Sequence, residues 1–414
     1  MTAGRPLLPP ILLDEGLRLL FPVAALHGLV WPLVWTALYG LELPLARAIP
    51  AAQWHAHEML FGTYGMALAG FLTTAVPEWT DTARRRGPEL LRLVWLWLPG
   101  RLAGLVGTGP LVGVTGLTDT AFLLLLTWYV GRPMLERRSM RHLSLPVWCA
   151  LFAASEAAIR LAWLAGDYTL SARLLGVALA IFLVLFSLSV ARINVTVINL
   201  ALDPSGDTTP YRPHPGRQNL AAGLVTLYIA ATLALPDSAA PAFLALAAGA
   251  AFFDRLSEWF IGRAVLRSEV LGLLAANLMA GLGFLVIGLA GLGAPVAATT
   301  GQHVLSMGAL GLAVVSVFII AGLRHTGRPL VPPPQAHGAL GLLVLAVLAR
   351  TLPELGIGAS LAGAHHALAA LLWATAFGVW LHGFLPYFLA PSIAGHGESD
   401  RGWRADNCPA GPLV

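Results

Sequence analysis

The stretch QWHAHEMLFG, residues 53–62, sets His55, His57 and Glu58 against an apolar run. Imidazole nitrogens ligate transition metals where no thiolate is at hand, and a neighbouring carboxylate can carry a proton. Residues two apart on an α-helix point about 200° from each other. His55 and His57 therefore do not share one metal from a regular helix; they suit two centres on opposite sides of it. His55 shares its face with Glu58, Gly62 and Gly65, and His57 shares its face with Phe61, Tyr64 and Leu68. The two glycines make a flat face that admits a close helix or a planar macrocycle, close packing being the commoner reason.

Three further histidines join the set. His303 opens a later apolar run, and His365 and His366 stand side by side near the start of the last one. The cysteines are Cys149 and Cys408, with no CxxC or CxxCH. That spacing argues against iron-sulfur centres, structural zinc and covalently attached haem. Any metal must rely on His, Met, Asp or Glu.

The elements that position these residues are membrane spans. Of 414 residues, 57% are hydrophobic and 11% charged, far below the roughly one quarter charged in soluble domains. Apolar runs long enough to cross a bilayer recur along the chain, which predicts an all-α, polytopic membrane protein. Twelve spans are expected, at 17–40, 55–77, 90–108, 110–130, 144–165, 171–193, 217–235, 239–260, 269–292, 300–323, 336–352 and 360–389. The third, which contains Pro99 and Arg101, and the eighth, which runs into FDRLSEWF, are the weakest. Residues 1–16 read as a cytoplasmic N-terminal segment, 17–390 as one transmembrane domain and 391–414 as a flexible cytoplasmic tail. The Pro-rich start lacks the pattern of a signal peptide, so the first run is expected to stay as a span.

Every basic residue is arginine, and their placement orients the bundle. Even-numbered loops carry Arg84, Arg85 and Arg86; Arg132, Arg137, Arg138 and Arg141; Arg192, Arg212 and Arg217; Arg255, Arg263 and Arg267; Arg324 and Arg328. The odd-numbered loops offer Arg47 and Arg173. The positive-inside rule then places both termini in the cytoplasm. His55, His57, His303, His365 and His366 consequently fall at one level near the outer face, on spans two, ten and twelve. Ionisable groups at such depth are functional candidates by default.

HEMLFGTYG (57–65) and HVLSMGALG (303–311) both read H-x4-G-x2-G, and SARLLGVAL (171–179) keeps the first glycine with Ser171 in the histidine's place. That echo hints at a four-helix pseudo-repeat. Glu156 and Arg160 are four apart and pair on one helical face, with Asp119 as a further partner. Arg101, Arg160 and Arg350 lie in the outer half, where guanidinium suits either an interhelical clamp or haem propionates. Tyr64, Trp31, Trp54 and Trp163 read as belt or pocket lining, and His27 and His382 as hydrogen-bonded bundle residues. On the inner side, His325 stands with Arg324 and Arg328, and Glu78 and Asp81 are expected to pair with those arginines.

HAHEMLFG (55–62), GFLTTAVPEWT (70–80) and HVLSMGALG with LRHTGRPL (303–330) closely resemble the motifs of the NnrS family of membrane proteins. DRLSEW (254–259) and LLWATAF (371–377) match more weakly. The resemblance implies a twelve-helix bacterial inner-membrane protein with haem b and copper, tied to nitric oxide and denitrification. The matching positions are His55, His57, Glu58, Trp79, His303, His325, Gly327, Arg328 and Pro329. VARINVTVINLALDP (190–204) departs from the family's G-R-x-I-P pattern: Arg192 stays, and Asn194 and Asn199 stand beyond it. The layout also resembles haem-copper oxidases, with an H-x-H pair and an HH pair towards the outer side.

The expectation is a haem, and copper, membrane protein that binds or converts nitric oxide or a related diatomic. His55, His57, His303, His365, His366 and His325 are its candidate metal ligands. Glu58 is the candidate proton carrier, and Gly62, Gly65, Arg101, Arg160 and Arg350 the candidate cofactor contacts. The expected partners are the lipid bilayer and a quinol or periplasmic electron donor, without nucleic acid. A transporter of a metal, haem or small anion is the alternative that span count alone allows.

Overall fold

The computed structural model describes residues 9–41, 49–106, 109–138, 142–202, 211, 214–358, 360 and 363–393. Arg47, Arg141, Arg212 and Cys408, with most of the expected terminal segments (1–8 and 394–414), lie outside the described residues. The described residues are mostly helical, without strands, and form twelve rods. These are α1 Gly16–Gly40, α2 Ala51–Thr80, α3 Pro88–Val106, α4 Gly109–Glu136, α5 Ser144–Leu164 and α6 Tyr168–Leu202. Then follow α7 Pro215–Ala234, α8 Ala240–Arg255, α9 Ser268–Gly291, α10 Ala298–His325, α11 Pro334–Thr351 and α12 His365–Leu389.

Among the described residues, ten of these are long and apolar enough to cross a membrane. The two that fall short are α3 and α7. Glu89, Arg92 and Arg101 dilute α3, and the apolar part of α7 shrinks to Asn219–Ala234. The expected eighth span is apolar enough, though its α-helix gives way after Arg255 to a 3-10 turn, Leu256–Trp259. The sixth runs nine residues beyond its expected end, because no proline or glycine interrupts VARINVTVINLAL.

The chain ends meet in space, since α1 packs on α12 as well as on α2. The centre belongs to α2, α6 and α10. Their most apolar windows are 83%, 83% and 72% buried, against 33% for the segment that contains α11. Membrane helices gain no hydrophobic drive from lipid, so close contact of small residues substitutes for it. A methyl group on Gly301 would stand 2.7 Å from the Gly283 carbonyl oxygen, and one on Gly249 2.9 Å from that of Gly281. Those contacts hold α8, α9 and α10 backbone to backbone. At the end of α10, Gly327 (φ +72°) takes the left-handed turn that stops the helix, with Pro329 just beyond.

Gly301→Val is expected to destabilise the folded protein by about 1–3 kcal/mol through overpacking. Gly341→Ala, whose added carbon meets nothing within 4 Å, is expected not to lower the unfolding midpoint. Thermal unfolding in detergent checks both.

Candidate functional site

Seven ionisable side chains from five helices meet in the apolar interior. His57 Nε2 lies 2.8 Å from Glu156 Oε2, and His57 Nδ1 3.3 Å from Glu58 Oε1. Arg160 donates from Nε to Glu156 Oε1 at 2.7 Å and from Nη2 to Asp119 Oδ2 at 2.5 Å. Arg101 donates from Nη2 to the same Asp119 oxygen at 2.6 Å, and its Nε lies 3.1 Å from Glu58 Oε2. His27 closes the set, with Nε2 3.4 Å from Glu58 Oε2 and Nδ1 2.8 Å from Thr63 Oγ1. His57, Glu58 and Glu156 are wholly inaccessible. Trp54 and Trp163, both buried, flank the Arg160 guanidinium at 5.4 and 5.3 Å, so these tryptophans are lining and not belt.

The Glu156–Arg160 pair and its Asp119 partner form as their spacing predicts. The role of Arg101 and Arg160 is thereby narrowed, since both guanidinium groups already hold carboxylates. Three carboxylates face two guanidiniums, which leaves one negative charge for a single proton shared over the network to balance. His57, Asp119 and Glu156 bring three ligand atoms within 4.8 Å of one another. A metal cation there would have to displace Arg160, so the group reads as an ion-pair network.

One expectation is corrected. Glu58 does not stay on the face of His55; it turns to His57 and His27. Beyond His57 the backbone is π-helical over Glu58–Tyr64, with five-residue hydrogen-bond spacing that rotates later side chains out of α-register. The flat face at Gly62 is filled: a methyl group there would stand 2.6 Å from His27 and 2.9 Å from Arg101. Gly65 instead faces Phe122. The H-x4-G-x2-G echo has the same backbone at its second copy, where Val304–Gly311 is also π-helical. Wide turns free backbone carbonyls, and both are used. Trp97 Nε1 donates to the Gly62 oxygen at 3.1 Å, and Tyr64 Oη to the Ser306 oxygen at 2.5 Å. The third copy is plain α-helix, and Ser171 there donates to Gln53 Oε1.

His55, released from that network, packs at a tilt against Trp35, with ring centroids 4.6 Å apart. It lies within electrostatic reach of His303, His366 and Arg350. His303 places Nδ1 2.8 Å from the Thr299 carbonyl oxygen, which makes Nδ1 the donor and leaves Nε2 with a free lone pair. His55 Nδ1 is buried without a partner. These nitrogens fit an imidazole-ligated metal. His365 is differently placed: its Nδ1 accepts the Gly363 N–H at 3.1 Å, so Nε2 carries the proton. It stacks on exposed His366 at 3.9 Å. Arg350 pairs with Glu354, whose other oxygen accepts from Thr300 at 2.7 Å. Among the described residues, no three of His55, His303, His365 and His366 bring ligand atoms within 4.8 Å of one another. His382, expected inside the bundle, is exposed on α12.

At the opposite end, His325 Nδ1 lies 2.9 Å from Glu15 Oε1 and 3.6 Å from Glu78 Oε1. Arg84 reaches both carboxylates, at 3.8 and 3.5 Å. Glu78 thus meets Arg84 and His325 directly and is also attracted by Arg324, one of the two arginines expected for it. Asp81 pairs with Arg137, and Arg328 lies over the Tyr387 ring at 4.0 Å. These three ligand atoms also fall within 4.8 Å, and the guanidinium of Arg84 again supplies the compensating charge. Sequence reading missed Glu15. Its signal is slight, an acidic residue just before α1 with no loop of its own.

Burial acts to raise the Glu15 carboxyl, yet His325, Arg84 and Arg18 together hold it below the usual carboxylate range. A depressed folded pKa contributes stability that is complete above the unfolded value, near pH 4.3, and is lost as pH falls through the folded one. Wild type is therefore expected to lose more stability than Glu15→Gln on acidification below about pH 4.3, read from unfolding midpoints against pH. Asp119→Asn is expected to cost about 3–5 kcal/mol, as for any buried pair stripped of one partner. Removing exposed Arg132 from its Glu136 pair is expected to change nothing measurable in the same unfolding assay.

Comparison with curated proteins finds no match. A family model, described as NnrS protein, matches residues 11–392. That match runs from just before α1 to just past α12 and takes in both π-helical motifs and both ionic clusters: the chain belongs to the NnrS family.

Proposed function

We propose that this chain is a haem b protein of the bacterial inner membrane, with copper as a second metal. It binds or converts nitric oxide, or a related small diatomic, at the end of the bundle where α2, α10 and α12 begin. Family membership points to a nitric-oxide-response membrane protein and to metal cofactors. The observation that carries the finer reading is the convergence of His55, His303 and His366 from three rods, two of them offering an unengaged ring nitrogen. We take His55, His303 and His366 as the ligands. Bound there, haem iron supplies an open position for a diatomic and copper a second electron-accepting site.

The chain's own groups do the rest. The Thr299 carbonyl fixes the tautomer and tilt of His303. Arg350, at the same level, is the guanidinium placed to meet a haem propionate, in competition with Glu354. Glu58, with Oε1 3.3 Å from His57 Nδ1, is the carboxylate placed to exchange a proton with that imidazole. The arginines after α2, α4 and α10 gather at the other end, where Arg137 meets Asp81 and Arg84 meets His325's partners. That supports twelve spans with both termini cytoplasmic and the metal end periplasmic. Electrons come from quinol or from a periplasmic donor.

Purified protein is expected to show a Soret band with b-type α and β bands, and iron and copper by elemental analysis. His303→Ala and His55→Ala lose the bands. Glu58→Gln keeps them and slows any proton-coupled step on nitric oxide. A folded preparation with neither haem nor metal, even after reconstitution, would sink the reading.

A further inference from the structure

We propose that two contiguous cavities between α1, α2, α6 and α10, the second of them apolar, form a conduit that admits an apolar diatomic from the bilayer and leads it toward the histidine-bearing end. The first cavity, about 50 Å³, has Leu17, Phe21, Phe71, Ile193 and Val317 among its apolar walls, and Thr74, Glu78, Thr196, Arg324 and His325 as its polar ones. The second, also about 50 Å³, continues upward between Phe182, Leu185, Leu310 and Ala313. Phe21, Phe71, Ile193 and Val317 line both.

Size and polarity decide the occupant. Space of about 150 Å³ is what an apolar cavity needs to take benzene, so ring-sized ligands are too large for either cavity. A buried water needs two to four polar partners, and Ser189 is the one polar side chain in the wall of the second. A space that a water fits by volume and not by hydrogen bonding suits a small apolar molecule. Phe71, Val314 and Val317 are half-buried, so the wall toward the lipid is one side chain thick. At the upper end stands Phe182, 5.7 Å from the Tyr64 ring, whose hydroxyl is tied to the Ser306 carbonyl oxygen. Ser306 is three residues from His303, so the second cavity stops close below the proposed ligands. Diatomic delivery rests on the function proposed above; occupancy of the cavities by an apolar gas does not.

Xenon-pressurised crystals of the full chain test the cavities without reference to any metal. Xenon is expected in both, absent from both in Val317→Phe, and retained in Val317→Ala, which guards against a fold defect. Absence of xenon from the wild type, or xenon unmoved by Val317→Phe, overturns the proposal. Nitric oxide association with the haem-loaded protein, followed by flash photolysis, tests delivery. Val317→Phe is expected to slow it several-fold with an unchanged optical spectrum, and Val317→Ala not to slow it. Unchanged association in Val317→Phe overturns the conduit. Protein that carries no haem removes the proposed function, and the xenon result still decides the cavities.

Discussion

Glu58, Asp119 and Glu156 reach across α2, α4 and α5 to Arg101 on α3 and Arg160 on α5, and none of the five has water to fall back on. Charges in a low-dielectric interior persist only when neutralised at contact distance. The first half of the bundle is therefore built around one compensated cluster, and its helices are located by carboxylate–guanidinium geometry as much as by packing. Trp54, Trp97 and Trp163 close over the arginines and exclude solvent. In the second half, glycine backbones in direct contact hold α8, α9 and α10 together.

The π-helical turns follow from the same constraint. Glu58, at the start of the wide turn, lies 3.4 Å from His27 and 3.1 Å from Arg101. The carbonyls that this widening frees would be costly in lipid. Trp97 and Tyr64 satisfy those of Gly62 and Ser306, and the Tyr64 bond links one π segment to the other. His55 and His57, two apart on the α-helical stretch before the π-turn, point to opposite sides: the His57 ring sits in the ionic network, and His55 lies within electrostatic reach of His303 and His366. The polar groups are thus sorted along the bundle axis into a histidine end, an ionic centre and the Glu15–Glu78–His325 end, and the two cavities lead away from the last of these.

The helices, ten of them apolar enough to cross a membrane among the described residues, and their ends to within a few residues at most places, were legible in the chain, because bilayer burial writes itself as unbroken hydrophobic runs. So was the Glu156–Arg160 pair, since partners four apart on one helix need no tertiary information. The H-x4-G-x2-G echo was legible as a repeat. Its meaning was not, because a five-residue hydrogen-bond spacing leaves no composition of its own and depends on what the freed carbonyls find. The departure at 190–204 likewise told nothing of its consequence, a 35-residue helix in which buried Asn194 sits and Asn199 holds Tyr211.

Residue chemistry and hydrophobic period alone determined the class of protein, its helices and the short list of histidines. Which carboxylate answers which arginine, that Glu58 belongs to His57 and not to His55, and that Glu15 completes the site at His325 were decided only by tertiary structure. Partners between helices are set by rotation and depth across the bundle, and a linear sequence carries neither.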